Sequence, residues 1–275
     1  MKVIALTALA MLAFAGNSLL CRAALRETAI DAASFTGIRI VAGALALWLI
    51  VRVRDGPRPL AGSWLSALAL FAYAAGFAYA YFGLTAATGA LLLFGAVQAT
   101  MIGHGLAKGE RIVGWRLAGL GLALGGLAGL LLPGLSAPSP LHAGLMIGAG
   151  IAWGIYSLRG RGAGDATQVT AGNFVRAVAF AAILGLAALP WFSFDSAGAA
   201  YAIVSGAVTS GLGYAIWYTA LKGLQATSAA TVQLSVPALT AVGGVLFLDE
   251  MLTLRIVACS VAILGGIAMV IRARA

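Results

Sequence analysis

Ten stretches of this 275-residue chain stay apolar for about 20 residues each, the length that lets a helix cross a hydrocarbon layer. They cover residues 3–21, 32–51, 63–82, 85–106, 112–132, 141–158, 168–190, 197–218, 224–247 and 254–271. Lipid offers no hydrogen bonds, so backbone groups there must pair within the protein, and runs of this kind do so as helices. Charged residues are 9% of the chain against roughly 25% in soluble domains. The fold class expected is therefore an all-α integral membrane protein with ten transmembrane helices.

The ten stretches fall into two sets. Residues 80–110 align without a gap on residues 220–250, at an offset of 250 − 110 = 140. Identical pairs include Ala80/Ala220, Gly83/Gly223, Leu84/Leu224, Ala86/Ala226, Ala90/Ala230, Thr100/Thr240, Gly103/Gly243 and Leu106/Leu246. The register continues to Leu124, Gly125, Gly126 and Leu264, Gly265, Gly266. The chain divides into a first repeat, 1–134, and a second, 135–275, each with five helices. Five is odd, so the second repeat enters the membrane upside down. Such inverted repeats are a hallmark of carriers that alternate between two access states.

The net charge of +9 forms no face for nucleic acid. Its residues cluster between apolar runs: Arg52, Arg54, Arg58, Lys108, Arg111, Arg159, Arg161, Lys222, Arg272 and Arg274 all fall on one side, with Lys2, when the helices alternate. The positive-inside rule places that side, and both termini, in the cytoplasm of a bacterial-type inner membrane. Lys2 and "AFAG" (13–16) mimic a cleaved signal, but "AFAGNSL" (13–19) has a twin in "AWGIYSL" (152–158), which argues for a retained helix.

The tandem repeat, the turns "GER" (109–111) and "DEMLT" (249–253), Pro237 ahead of the second turn, and the paired glycines together resemble the drug/metabolite transporter superfamily, in its ten-helix EamA type. The opening "FAGNSLLCRAAL" (14–25) and the overall size are similar to bacterial aromatic amino-acid exporters. The resemblance implies export of small metabolites. Val97 stands where a proline matching Pro237 would be, so a proline hinge at Pro237 belongs to one half only.

Acidic residues sit in connections or at helix ends, and the sequence offers no mid-membrane carboxylate for proton coupling. Glu110 and Glu250 read either as caps of the helices that follow them or as coupling groups. His104, inside a span, is the remaining proton-linked candidate. Arg39 and Arg176 occupy matching places, and each either meets a substrate carboxylate or braces its own repeat.

Amides rarely face lipid. Asn17, Gln98 and Gln233 are therefore expected to line a substrate site with the aromatic residues Tyr79, Trp153, Tyr156, Tyr214 and Trp217. Trp48, Trp64, Trp115 and Trp191 read as interfacial belt. Gly121, Gly125 and Gly129 form a close-packing stripe that is expected to join the fifth and tenth helices. Cys21 and Cys259 fit no metal or disulfide pattern. No cofactor, metal or nucleic acid is expected. A small-molecule substrate and the bilayer are the partners, with the protein acting as a monomer.

The reading is a secondary transporter that exports small amphipathic metabolites, aromatic or other apolar amino acids first, by alternating access. Carriers of drugs or other metabolites, and a non-transporting receptor or scaffold, stand as alternatives. An enzyme is disfavoured because no nucleophile, carboxylate pair or metal set converges at depth.

Overall fold

The computed structural model describes residues 2–57, 59–109, 114–132, 137–160, 164–221, 224 and 232–272. Among these the structure is helical, without strands. The helices are α1 (Lys2–Glu27), α2 (Ala32–Asp55), α3 (Trp64–Tyr81), α4 (Ala86–Ala107), α5 (Trp115–Leu131), α6 (Pro140–Gly160), α7 (Ala166–Ala187), α8 (Ser196–Val204), α9 (Gly213–Leu221), α10 (Ser235–Leu248) and α11 (Leu254–Arg272). Between α8 and α9 the chain continues unbroken through a π-helical stretch, Ser205–Leu212. Seven helices, counting Ser196–Ala220 as one, are long and apolar enough to cross a membrane, while the apolar parts of α5, α10 and α11 are shorter. The ninth expected span, 224–247, includes residues 225–231, which lie outside those described.

Short polar side chains start the helices. Asp31, Ser63, Thr85, Asp165 and Asp195 each precede an apolar run and accept a backbone N–H of the first turn, from Ser34, Ser66, Thr88, Gln168 and Gly198 respectively. A capped N–H needs no water, which suits a helix entering lipid.

Hydrogen bonds between the connections sort them into two ends. At one end Arg22 reaches Glu250 and the Tyr81 carbonyl, Arg26 reaches the Leu248 carbonyl, and Asp31 exchanges two bonds with Ser193. At the other, Arg54 bridges to Asp165, Ser63 N–H donates to Asn173, and Arg159 donates to Ser66. These are called the Glu250 end and the Arg54 end below.

Packing is pairwise: α5 lies along α11, α2 along α7, and α6 against both α3 and α4. The α5–α11 seam is close because of Gly126 and Gly266. A Cβ on Gly126 would stand 2.8 Å from Ala262 Cβ, and one on Gly266 would stand 2.6 Å from Ala123 N and meet Gly119 O. The expected stripe is therefore corrected. Gly121 and Gly125 face open space, and of that set only Gly129 touches the partner helix, at Cys259. One residue of register, about 100° of helix, separates Gly125 from Gly126.

Candidate functional site

A small cavity lies inside the bundle, lined by Phe14, Asn17, Ser18, Tyr73, Phe77, Leu93, Phe94, Trp153 and Tyr214. The lining comes from α1, α3, α4, α6 and α9, so both halves of the sequence contribute. Tyr73 sits eight residues before the end of α3, or about 12 Å of axis.

Trp153 is the centre of its aromatic wall. The indole lies 4.8 Å from Tyr73 and from Tyr214, 5.5 Å from Tyr156 and 6.3 Å from Phe14, ring centre to ring centre. Trp217 stands behind this wall, edge-on to Phe14 at 5.8 Å. Edge and tilted contacts let each ring present positive hydrogens to a neighbour's π face.

Asn17 organises the polar wall. Its Nδ2 donates to the Tyr73 hydroxyl at 3.2 Å. Its Oδ1 faces three hydroxyls of the π-helical stretch: Ser205 at 2.7 Å, Thr209 at 3.3 Å and Ser210 at 3.4 Å. These three residues were missed in the sequence, although "SGAVTSG" (205–211) is a rare run of hydroxyls and glycines within an apolar segment. The close approach of this stretch to α2 depends on Gly206, whose Cβ position is filled by the Arg39 backbone.

Arg39 is 2% exposed and lies behind the Tyr73 and Phe77 rings, its guanidinium carbon 5.3 and 5.1 Å from their centres. Its Nη2 donates to the Tyr73 hydroxyl and its Nε to Ser210, each at 3.3 Å. Nη1 is buried without a hydrogen-bond partner. Arg176 is unlike it. Its Nη1 donates to the carbonyls of Ala61 and Gly172, both at 2.9 Å, which braces the start of α3 against α7. Matching places in the sequence thus carry different surroundings.

Several expected site residues lie elsewhere. Tyr79 is 36% exposed and does not line the cavity. Two residues turn a helix by about 200°, so it faces away from Phe77. The buried aromatics of that helix are Tyr73, Phe77 and Tyr81. Tyr156 lines a second cavity toward the Arg54 end, with Ser66, Arg159, Asn173 and Tyr218. Gln98 is buried one turn along α4 from Phe94, with its Nε2 unpaired. Gln233 is buried just ahead of α10 and does not line the central cavity. His104 is exposed near the end of α4. Pro237 falls in the first turn of α10, where its missing N–H interrupts no helical bond. Trp48, Trp64, Trp115 and Trp191 are all exposed.

Glu250 does not cap the helix that follows it. Its carboxylate accepts the Ala86 N–H at the start of α4, and it pairs with Arg22. Glu110 lies outside the described residues. No cluster of three or more His, Cys, Asp or Glu able to hold a metal occurs among the described residues.

Comparison with known proteins adds the family. The chain is 57% identical to the Pseudomonas aeruginosa protein PA1977, itself described as uncharacterized, over 99% of this chain and 96% of that one. A solved crystal structure matches with a TM-score of 0.69 at 16% identity, covering 98% of this chain and 96% of the other, which establishes a shared fold. Residues 141–272 match the EamA-like transporter family. With its multiple apolar helices, the chain is a multi-pass membrane protein that carries, over residues 141–272, a domain of the EamA-like transporter family, within the drug/metabolite transporter superfamily.

Proposed function

We propose that the protein is a secondary carrier that exports small amphipathic metabolites, aromatic and other apolar amino acids first among them, by alternating access. The observation that carries this reading is the aromatic cavity at mid-depth, built from both halves of the chain and lined by no charged residue among those described. A flat apolar body is held by ring faces, while Asn17, Ser18 and the tyrosine hydroxyls orient a polar group.

Alternating access needs two halves that exchange roles, and the reading of ten helices as two inverted five-helix repeats supplies them. Reciprocal packing supports it. Helix α1 lies against α8, α9 and α10, as α6 lies against α3 and α4. The equivalent segments around Phe14 and Trp153 meet ring to ring. Arg52, Arg54 and Arg159 gather at the Arg54 end, which is the cytoplasmic side of an inner membrane on the positive-inside rule, with both termini there.

The test is flux. Proteoliposomes loaded with labelled phenylalanine or tryptophan are expected to release label faster than protein-free vesicles, and to exchange it with unlabelled solute outside. Release equal to the protein-free rate for both solutes removes amino-acid export.

A further inference from the structure

We infer that the carrier recognises its solute through a carboxylate, held by the tyrosine hydroxyls of the cavity wall, with the Arg39 guanidinium behind them as the compensating charge. This rests on the carrier reading above and adds the chemical class of the solute's polar end.

Three observations converge. First, Arg39 is a buried cation at mid-helix, and among the described residues no carboxylate forms an ion pair with it. Its contacts are two neutral hydroxyls and the faces of two rings. A guanidinium held away from water and acids is costly unless an anion completes the site.

Second, the polar atoms left without partners near the cavity are ones that donate. They are Arg39 Nη1, the Tyr214 hydroxyl and Gln98 Nε2. Tyr214 lines the cavity, is 2% exposed, and lies within electrostatic reach of Tyr73 and Arg39. The Tyr73 oxygen already receives N–H bonds from Asn17 and Arg39, so its hydrogen is left to give, to the neighbouring Tyr214 hydroxyl or to a solute.

Third, the amide acceptor is occupied. Asn17 Oδ1, the one amide oxygen in the lining, faces Ser205, Thr209 and Ser210. A solute whose polar end only donates finds the hydroxyl oxygens of Ser18 and Tyr214 but no opposite charge. A carboxylate finds two or three donors and a compensating charge, and the rings of Phe14, Phe94 and Trp153 take its apolar body. An α-amino acid meets this requirement with its carboxylate, leaving its ammonium to the aromatic faces.

The experiment measures binding and flux separately. Purified protein in nanodiscs is titrated with phenylalanine, 3-phenylpropionate, phenylalaninamide and phenethylamine, which share one aromatic body. The same four solutes are then offered to proteoliposomes. We expect the two carboxylates to bind, and the amide and amine to bind roughly 10–100-fold more weakly, the range for losing a charge-assisted hydrogen bond. Arg39→Gln abolishes that preference, and Arg39→Lys retains part of it. Arg176→Gln keeps it in full. Tyr214→Phe, which conserves the ring, reduces the preference and covers the case in which Arg39→Gln does not fold. Equal binding of carboxylate and amide to the wild type overturns the inference, as does an unchanged preference in Arg39→Gln. Preferential binding of carboxylates without flux overturns the carrier reading and leaves the carboxylate site standing.

Discussion

Glu250 and Ala86 lie 164 residues apart, yet the Glu250 carboxylate accepts the Ala86 N–H at 2.7 Å. The other carboxylate oxygen takes Arg22 Nε at 3.0 Å, and Arg22 also donates to the Tyr81 carbonyl at 2.7 Å. One acid thus ties the α10–α11 connection to α1 and to the α3–α4 connection. Both partners are mostly buried, so water does not dissolve the pair. Glu250→Ala strands the Arg22 guanidinium and an N–H of α4, and is expected to cost about 3–5 kcal/mol of stability. Glu250→Gln keeps an oxygen for Ala86 and loses less. Thermal unfolding of both variants and of Arg22→Ala gives the order, and the double variant is expected to be less than additive. Full additivity would show that the pair does not act as a unit.

The α5–α11 seam makes a prediction about adjacent residues. Gly266→Val forces a side chain into the backbone of α5, at Gly119 and Ala123, and is expected to destabilise by about 1–3 kcal/mol. Gly265→Val has nothing within 4 Å of its Cβ and is expected to be nearly silent. Equal loss of folded yield in the two would place the seam elsewhere.

Asp31 links the Glu250 end to pH. Burial alone raises its carboxyl, but hydrogen bonds from Ser34, Ser193 and Ala33 outweigh that and hold it below the usual carboxylate value. A depressed acid stabilises the fold above its unfolded-state value of about 3.9, and that contribution is lost as pH falls through the native value. Asp31→Asn is therefore expected to melt lower than wild type at neutral pH, with the gap closing as the solution is acidified. A gap as wide at about pH 3 as at neutrality would contradict the assignment.

Tyr214 and Tyr79 separate a cavity tyrosine from a surface one. Tyr214→Phe removes a buried hydroxyl that has no hydrogen-bond partner, so stability should hold or rise by about 1 kcal/mol while solute binding weakens. Tyr79→Phe is expected to change neither. Melting curves read beside solute titrations distinguish the two, and equal weakening of binding in both would return Tyr79 to the site.

Apolar run length was enough to locate most helices, because a lipid-embedded backbone has few alternatives. It also located Trp153, Asn17 and Tyr214, which line the cavity. Which face of a helix turns inward was harder to read. All sides of α3 are apolar, so nothing in its pattern separates Tyr73 and Phe77 from Tyr79. Partners distant in sequence were hidden as well. Glu250 reads as a cap for the helix after it until α4 is seen beside it. Arg39 and Arg176 read alike because the difference lies in what surrounds each: Tyr73 and Ser210 for one, backbone carbonyls for the other.

The π-helical winding of Ser205–Leu212 holds all three hydroxyls that face Asn17 and leads directly into Tyr214 and Trp217. Such a stretch carries an extra residue of slack relative to an α-helix. Taking up that slack would turn α9 by about 100° against α8 while both stay helical. Tyr214 would then swing off the Trp153 wall as Ser210 left Arg39, opening the aromatic and polar walls in one motion. The eight residues join the two ends of a single membrane-crossing helix, so the polar wall at Asn17 and the aromatic wall at Tyr214 share one joint.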